Sequence, residues 1–221
     1  MFKESEGQKE KIFRDKIVIA IDGMPGSGKT THLTQFCREF GNENIIILPQ
    51  SKDVTKEERE EITFHEDFEK LDRWFLDQEI ERTKLVNKYF NKGFSVLIDR
   101  PYISILGYCY ARAKYRNKLD EYHKFFRMFK EEYLEKMYPI DMLIILKTDP
   151  LKSIKRRERK FQQSADKLWF NSNFLTHLGS FYEDQLAQLK FIKTTTNIDT
   201  SNSSANDLYE SLKSLIKETL K

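Results

Sequence analysis

Residues 19–33 of the chain read IAIDGMPGSGKTTHL, an apolar run followed by a glycine-rich turn, a lysine and two threonines. Residues 23–30 fit the pattern G-x-x-x-x-G-K-S/T, with a strand-like run before it and a helix-like stretch after it. Glycines let the backbone curl so that several N–H groups point at one anion, and the helix adds the positive end of its dipole. This context favours a nucleoside-triphosphate site over an ordinary strand–helix turn.

The residue types in this turn predict what each of them binds. Lys29 is expected to reach the β- and γ-phosphates, and the Thr30 hydroxyl is expected to bind Mg²⁺. ATP and Mg²⁺ are therefore the predicted cofactors. The predicted phosphate-binding residues are Gly23, Pro25, Gly26, Ser27, Gly28, Lys29, Thr30 and Thr31.

Short apolar runs alternate along the chain with longer stretches of helical periodicity. The alternation predicts a parallel sheet with right-handed crossovers, and the nearly continuous Val, Ile and Leu runs predict strands covered on both faces. The predicted fold class is α/β: a three-layer α/β/α P-loop fold with a five-stranded parallel sheet and a short arginine-bearing lid. The predicted strands are Lys16–Asp22, Asn44–Leu48, Phe94–Asp99, Met142–Lys147 and Phe191–Thr194.

Helices are predicted between these strands and after the last one, where residues 194–207 are expected to form a polar loop. Because the chain has no repeat and no long Gly/Ser/Pro linker, residues 16–221 are predicted to form one domain after a charged tail over residues 1–15. The lid is placed at about 153–168. The predicted helices are Lys29–Phe40, about Lys56–Asn91, Ser104–Tyr115, Asp120–Tyr138, Leu151–Lys160, Ala165–Leu189 and Ala205–Leu220.

The composition narrows the classes of partner. The 221 residues include 38 basic and 35 acidic side chains, and the resulting net charge of +3 does not indicate a nucleic-acid partner. The two cysteines show no C-x-x-C spacing, which favours reduced thiols. No apolar run has the length of a membrane span, so no membrane partner and a cytoplasmic location are expected.

A second motif lies in residues 94–108, which read FSVLIDRPYISILGY. A parallel strand would deliver Asp99 to its carboxyl end, the edge where α/β sheets bind their ligands. There Asp99 is expected to hold Mg²⁺ together with Thr30, and Arg100 is expected to place a cation where negative charge gathers. The alternative is a surface ion pair at a strand end.

A third motif, IKRRERK at residues 154–160, follows the fourth strand. On a helix, Arg156 and Arg159 lie three residues apart and share a face. Phosphoryl transfer depends mostly on cations placed around the moving group, and a closing lid would also exclude water. We therefore predict catalytic roles for Lys29, Asp99, Arg100, Arg156 and Arg159, against the alternative that the lid arginines form only a solvated face.

Together these motifs resemble the thymidylate kinase and deoxynucleoside kinase group of P-loop phosphotransferases, and they are closest to thymidylate kinases. The resemblance extends from Ile17 to about Asp199. Residues 74–108 are similar to the long helix, glycine stop, strand and Asp-Arg motif of thymidylate kinases, with Ser104 at their serine. Residues 138–160 look like their fourth strand, Asp-Pro and lid.

The resemblance implies an acceptor site. It implies that Arg100 contacts the 5′ end of the acceptor or its phosphate. It also implies that Gln78 reads the base edge, where a side-chain amide offers both a donor and an acceptor, with an exposed helix glutamine as the alternative. Tyr108 or Trp74 is a candidate for stacking on the base, with a core role as the alternative. Asp53 is a further candidate for substrate binding.

The chain departs from the group after the second strand, where the group carries an Arg-Glu-Pro or a Glu-Pro. Residues 48–60 read LPQSKDVTKEERE instead, so the sequence does not decide whether the acceptor is a phosphate or a hydroxyl. Either kind of acceptor could be contacted by Lys52, Asp53 and Arg59. Asp22 is a further carboxylate, at the rim of the loop. A phosphate acceptor needs cations more than a base, whereas a hydroxyl acceptor needs a nearby carboxylate.

Three hypotheses follow. The first is an ATP- and Mg²⁺-dependent kinase of a (deoxy)nucleoside monophosphate, with thymidylate as the first choice. The alternative is a kinase of the same fold that phosphorylates a deoxynucleoside or another small-molecule hydroxyl. The third is a regulatory P-loop protein that only binds nucleotide. Because related enzymes often pair through helices, the resemblance also implies a homodimer.

Overall fold

We describe a computed structural model of the chain over residues 16–40, 44–50, 68–158, 167–186 and 189–220. These residues contain a five-stranded sheet in which every neighbouring pair is parallel. Its strands, in the order β2-β3-β1-β4-β5 across the sheet, confirm the predicted α/β class. They are β1 Val18–Gly23, β2 Ile45–Leu48, β3 Ser95–Asp99, β4 Ile140–Lys147 and β5 Ile192–Asp199.

Helices connect the strands and cover both faces of the sheet. Among the described ranges, none of them combines the length and the apolar run needed to cross a membrane. The α-helices are α1 Lys29–Phe40, α2 Phe68–Asn91, α3 Ile103–Tyr115, α4 Leu119–Met128, α5 Pro150–Arg157, α6 Ser172–Ser180 and α7 Ala205–Thr219.

The side chains of β1 show why the fold has three layers. Val18 and Ala20 belong to an apolar cluster that includes buried residues of α2, α3, α4 and α6. Ile19 and Ile21 point the other way, into a cluster with α1 and α7. Because successive side chains of a strand point to opposite faces, both faces of β1 are buried and the whole strand reads as apolar.

The last strand is longer than its apolar pattern predicts. Residues 194–199, expected in a polar loop, belong to β5, whose side chains are exposed or half-buried throughout. β5 lies at the edge of the sheet and pairs only with β4 among the described strands. An edge strand can be stabilised by backbone pairing and β-branched residues without burying its side chains. Its sequence is therefore polar, and a polar sequence predicts a loop.

Two long predicted helices are interrupted. The helix expected over Asp120–Tyr138 is α4 followed by a π-helical turn, Phe129–Tyr133, and a short 3₁₀ turn. The helix expected over Ala165–Leu189 stops at Asn171, whose side chain accepts a hydrogen bond from the Phe174 N–H at 3.0 Å. Asn171 is thus the N-cap of a new helix, α6.

Candidate active site

The glycine-rich turn between β1 and α1 requires its glycines. Gly23 and Gly28 have φ values of 122° and 96°, in the region that favours glycine. A Cβ on Gly23 would lie 2.2 Å from the Leu146 carbonyl oxygen, and one on Gly28 would lie 2.8 Å from His32 Nε2. The turn therefore lies directly against its neighbours, and side chains at these positions do not fit.

This packing gives the first prediction, in which Gly23→Ala is compared with Gly93→Ala. Both glycines have positive φ, but a Cβ on Gly93 meets nothing within 4 Å. Gly93→Ala should therefore show only the cost of the backbone conformation, about 1–3 kcal/mol. Gly23→Ala should lose about a further 1–3 kcal/mol of unfolding free energy because of the clash with Leu146. Urea unfolding measures both, and equal losses would contradict the steric account.

Lys29 lies at the start of α1, and its ammonium points back into the turn. Its Nζ donates to the carbonyl oxygens of Gly23 at 2.9 Å and Met24 at 2.6 Å, and to Ser27 Oγ at 3.1 Å. Burial, followed by the charge of Arg100, holds the pKa of Lys29 well below its usual range. A bound polyphosphate would supply the counter-charge that these neutral acceptors lack.

Thr30 and Asp99 meet at the carboxyl edge of the sheet. Asp99 ends β3, which pairs with β1 so that Asp99 lies opposite Ile21. Thr30 Oγ1 donates to Asp99 Oδ2 at 2.6 Å. Asp99 Oδ1 is buried and has no hydrogen-bond partner among the described residues. A hydroxyl beside a carboxylate with a spare buried oxygen fits the oxygen ligands that Mg²⁺ prefers.

Arg100 adopts an unusual backbone conformation directly after Asp99. Its φ is 55°, which a residue other than glycine rarely adopts and which often marks a functional site. Its N–H donates to the Ile21 carbonyl oxygen at 3.0 Å. Its guanidinium lies 5.4 Å from the ring centre of Trp169. Arg100 lines the same cleft as the phosphate loop, close enough for its charge to act on Lys29.

The start of the predicted lid is fastened to the phosphate loop. Ser153 Oγ donates to the Pro25 carbonyl oxygen at 2.6 Å, and Arg156 donates to the Gly26 carbonyl oxygen at 3.4 Å. Arg157 is half-buried near Arg100, and its burial together with that charge lowers its pKa. The second predicted lid cation, Arg159, lies outside the described residues.

One cleft of about 540 Å³ has Lys29, Thr30 and Arg100 in its lining, whereas Asp99, the partner of Thr30, is not part of the lining. The loop end of the cleft is formed by Gly26, Gly28, Lys29, Thr30 and Thr31, and three arginines, Arg100, Arg156 and Arg157, lie along it. The remaining lining is Gln50, Leu71, Asp72, Phe75, Glu79, Pro101, Ser104, Ile105, Tyr108 and Trp169. The cleft thus combines cationic side chains and the phosphate loop with aromatic and acidic side chains.

The sequence of the whole chain was compared with known families and solved structures. It matches the deoxynucleoside kinase family over residues 19–221. The chain belongs to this family. The match confirms the predicted group of P-loop kinases and identifies an enzyme, a nucleoside kinase, so the hypothesis of a purely regulatory nucleotide-binding protein is not supported.

Solved structures agree with the fold of the kinase. Deoxyadenosine kinase from M. mycoides with bound dATP is 16% identical, with a TM-score of 0.70 over 90% of this chain and 98% of that one. The same enzyme with the products dCMP and a flexible dCDP gives 16% identity and a TM-score of 0.68, over 91% of this chain and 100% of that one. No curated protein matches the chain.

The comparisons change the order of the acceptor hypotheses. The family supports phosphoryl transfer to a nucleoside, which was the alternative, and does not support the thymidylate-like acceptor that was the first choice.

The structure brings together only part of the predicted acceptor site. Tyr108 lines the cleft, beside Trp169 at a ring-centre distance of 5.0 Å. Trp74 and Gln78 are not among the residues that line it, and Trp74 instead lies on an outer groove of α2 with Arg73 and Asp77. Asp53, with Lys52 and Arg59, lies outside the described residues.

Asp22 is not at the rim of the loop, where it was expected. It is buried at the end of β1, and Ser104 Oγ donates to its Oδ1 at 2.7 Å. Burial raises the pKa of Asp22. Ser104 lines the cleft, whereas Asp22 is not among the lining residues.

Two acidic side chains in the kinase cleft were not predicted. Asp72 and Glu79 lie on the face of α2 that lines the cleft, and each is bound by an arginine, Arg112 for Asp72 and Arg82 for Glu79. Burial raises the pKa of Asp72. In the sequence both acids resemble ordinary surface residues of a charged helix, so no local signal separates them from exposed ones.

Proposed function

We propose that the kinase transfers the γ-phosphoryl group of ATP to the 5′-hydroxyl of a deoxynucleoside. The observation that carries the proposal is the 2.6 Å contact between Thr30 and Asp99 at the same end of one cleft as Lys29. This is the arrangement expected around the terminal phosphates of a nucleotide. Membership of the deoxynucleoside kinase family supports the hydroxyl acceptor.

The donor side uses the turn and the lid. Backbone N–H groups of the turn and Lys29 would bind the triphosphate, and Arg156 and Arg159 would approach it from the lid. Thr30 and Asp99 would hold Mg²⁺, which would supply positive charge to offset that of the phosphates. The chain's own contribution is to place these groups before the acceptor arrives.

The acceptor side lies beyond Arg100. Its guanidinium would meet the 5′ end of the nucleoside, and Tyr108 and Trp169 offer faces for the base. Asp72 offers a hydrogen-bond acceptor there, which suits a base with an exocyclic amino group better than the carbonyl oxygens of thymine. The M. mycoides structures hold adenine and cytosine nucleotides, which agrees with this choice.

A panel of acceptors tests the proposal. We expect ADP release from ATP in magnesium buffer to rise with deoxyadenosine or deoxycytidine, to rise less with thymidine, and to stay at the background rate with thymidine monophosphate. Arg100→Lys keeps one charge but loses the planar fork, so it should raise the KM of the acceptor more than that of ATP. Stimulation by thymidine monophosphate alone, or by none of the four, would refute the proposed acceptor.

Other parts of the proposal rest on the sequence. We propose that residues 16–221 act as one kinase domain with a lid near 153–168, and that Asp53 contacts the acceptor. Gln78 and Trp74 stay predictions as acceptor-binding residues. A homodimer and a cytoplasmic location also stay predictions.

A further inference from the structure

Arg82 of α2 joins the ends of two neighbouring strands. Its guanidinium donates to the carbonyl oxygens of Arg100 at 2.8 Å, Asp99 at 3.1 Å and Leu48 at 3.4 Å. Leu48 is the last residue of β2 and Asp99 is the last residue of β3. The ladder between β2 and β3 ends there, so one side chain binds carbonyl groups at the point where both strands turn toward the cleft.

The charge of Arg82 is balanced inside the protein. Glu79, one turn earlier on α2, accepts a hydrogen bond from Arg82 Nη1 at 2.7 Å. The Tyr138 hydroxyl donates to the other carboxylate oxygen, also at 2.7 Å. Burial, followed by the charge of Glu79, holds the pKa of Tyr138 well above its usual range, so the hydroxyl stays a donor. Buried ion pairs often contribute little net stability, so stability alone does not explain why this pair is present.

The backbone of Arg100 is held on both sides of its unusual conformation. A φ of 55° persists at a residue other than glycine only where its surroundings hold it there. The Arg100 N–H is held by the Ile21 carbonyl oxygen, and its carbonyl oxygen is held by Arg82. Arg82 itself is not among the residues lining the cleft. It reaches the site by two routes: through the backbone of Asp99 and Arg100, and through the side chain of Glu79, which lines the cleft.

We propose that Arg82 is a positioning residue, which fixes the backbone of Asp99 and Arg100 and thereby the place where the Arg100 guanidinium meets the acceptor. The inference rests on the proposed function, because it takes Arg100 as the group that contacts the acceptor. The physical basis is that phosphoryl transfer requires exact positioning of the reacting groups. A misplacement of a positioning group by about 1 Å can lower the rate by about 10²-fold.

Arg82→Met tests the proposal, since methionine keeps much of the volume and removes every hydrogen bond. We expect faster amide hydrogen exchange in residues 98–104 and a loss of about 10²-fold in kcat/KM for the acceptor. The affinity for an ATP analogue, measured without Mg²⁺ so that Asp99 does not contribute, should change by no more than a few-fold, because the phosphate loop is not touched. Arg82→Lys keeps the charge opposite Glu79 and should therefore recover part of the kcat/KM for the acceptor.

Tyr138→Phe is the matched control. It removes the hydrogen bond to Glu79 but leaves all three carbonyl contacts of Arg82, so acceptor kinetics should stay within a few-fold of the wild type. A folded Arg82→Met with wild-type exchange in residues 98–104 would overturn the proposal. So would an equal loss of ATP affinity and acceptor kcat/KM.

If Arg82→Met does not fold, the same readings are taken on Arg82→Lys, and unchanged exchange there would also overturn the proposal. Hydrogen exchange needs no acceptor. If the wild type phosphorylates no nucleoside, the proposed function fails, but hydrogen exchange still tests whether Arg82 fixes the backbone. The two failures are therefore distinguishable.

Discussion

Lys29→Met is expected to lower kcat by about 10²–10³-fold, the range seen when one oriented donor to transition-state charge is removed. The lysine is buried and faces the turn through three hydrogen bonds to neutral groups. Methionine matches its length and loses only the ammonium. Steady-state kinetics with a saturating acceptor gives kcat, and calorimetry with a non-hydrolysable ATP analogue gives the affinity that remains.

The control for this change is Lys92→Met, at an exposed turn before β3 and at the opposite edge of the sheet. It removes the same charge from the chain and should leave kcat within about two-fold, as expected for a surface substitution. Thermal unfolding of both variants separates catalysis from folding. A Lys29→Met enzyme that keeps more than a tenth of the wild-type kcat would show that the turn does not hold the reacting phosphate.

Asp99→Asn is expected to lower kcat by at least about 10²-fold and to raise the Mg²⁺ concentration needed for half-maximal activity. The amide oxygen can still accept the hydrogen bond from Thr30, so the change isolates the loss of charge. Activity is measured against free Mg²⁺ at fixed ATP, and Mg²⁺-dependent binding of the ATP analogue is measured alongside it.

Two variants control the aspartate experiment. Asp120→Asn, in the exposed first turn of α4, changes the net charge equally and should not alter the Mg²⁺ dependence. Thr30→Ser keeps the hydroxyl and should stay within a few-fold of the wild type. An unchanged Mg²⁺ requirement in the Asp99→Asn enzyme would show that Asp99 does not bind the metal.

The donor half of the site was predictable because its signals are local. Gly23, Lys29 and Thr30 lie in one short motif, and their spacing fixes their geometry. Asp99 lies far away in sequence, yet it ends an apolar strand, and parallel strands bring such ends to one edge. The structure accordingly brings Thr30 and Asp99 together.

The acceptor half was not predictable because it depends on which face of α2 meets the cleft. Trp74 and Gln78 lie four residues apart on one face, while Phe75 and Glu79 lie four apart on another. Both pairs combine an aromatic ring with a polar group, so helical periodicity does not choose between them. The structure places the second pair on the cleft.

The other site residues that the sequence did not predict are brought to the cleft by long-range packing. Trp169 reaches the cleft from the short 3₁₀ turn Lys167–Phe170, where it contacts Tyr108 and Arg100. No spacing in the sequence links these three residues. The ion pairs of Asp72 with Arg112 and of Glu79 with Arg82 are buried. Because buried ion pairs look like surface charges in a sequence, they become visible only once the helices are packed.

The most direct test of the phosphoryl-transfer account is ³¹P NMR of the wild-type kinase with ATP, Mg²⁺ and deoxyadenosine or deoxycytidine. The account predicts a new nucleoside monophosphate resonance that grows in equal amount to ADP and that requires both substrates. ADP accompanied by inorganic phosphate alone, or a resonance that forms only when a nucleoside monophosphate replaces the nucleoside, would contradict it.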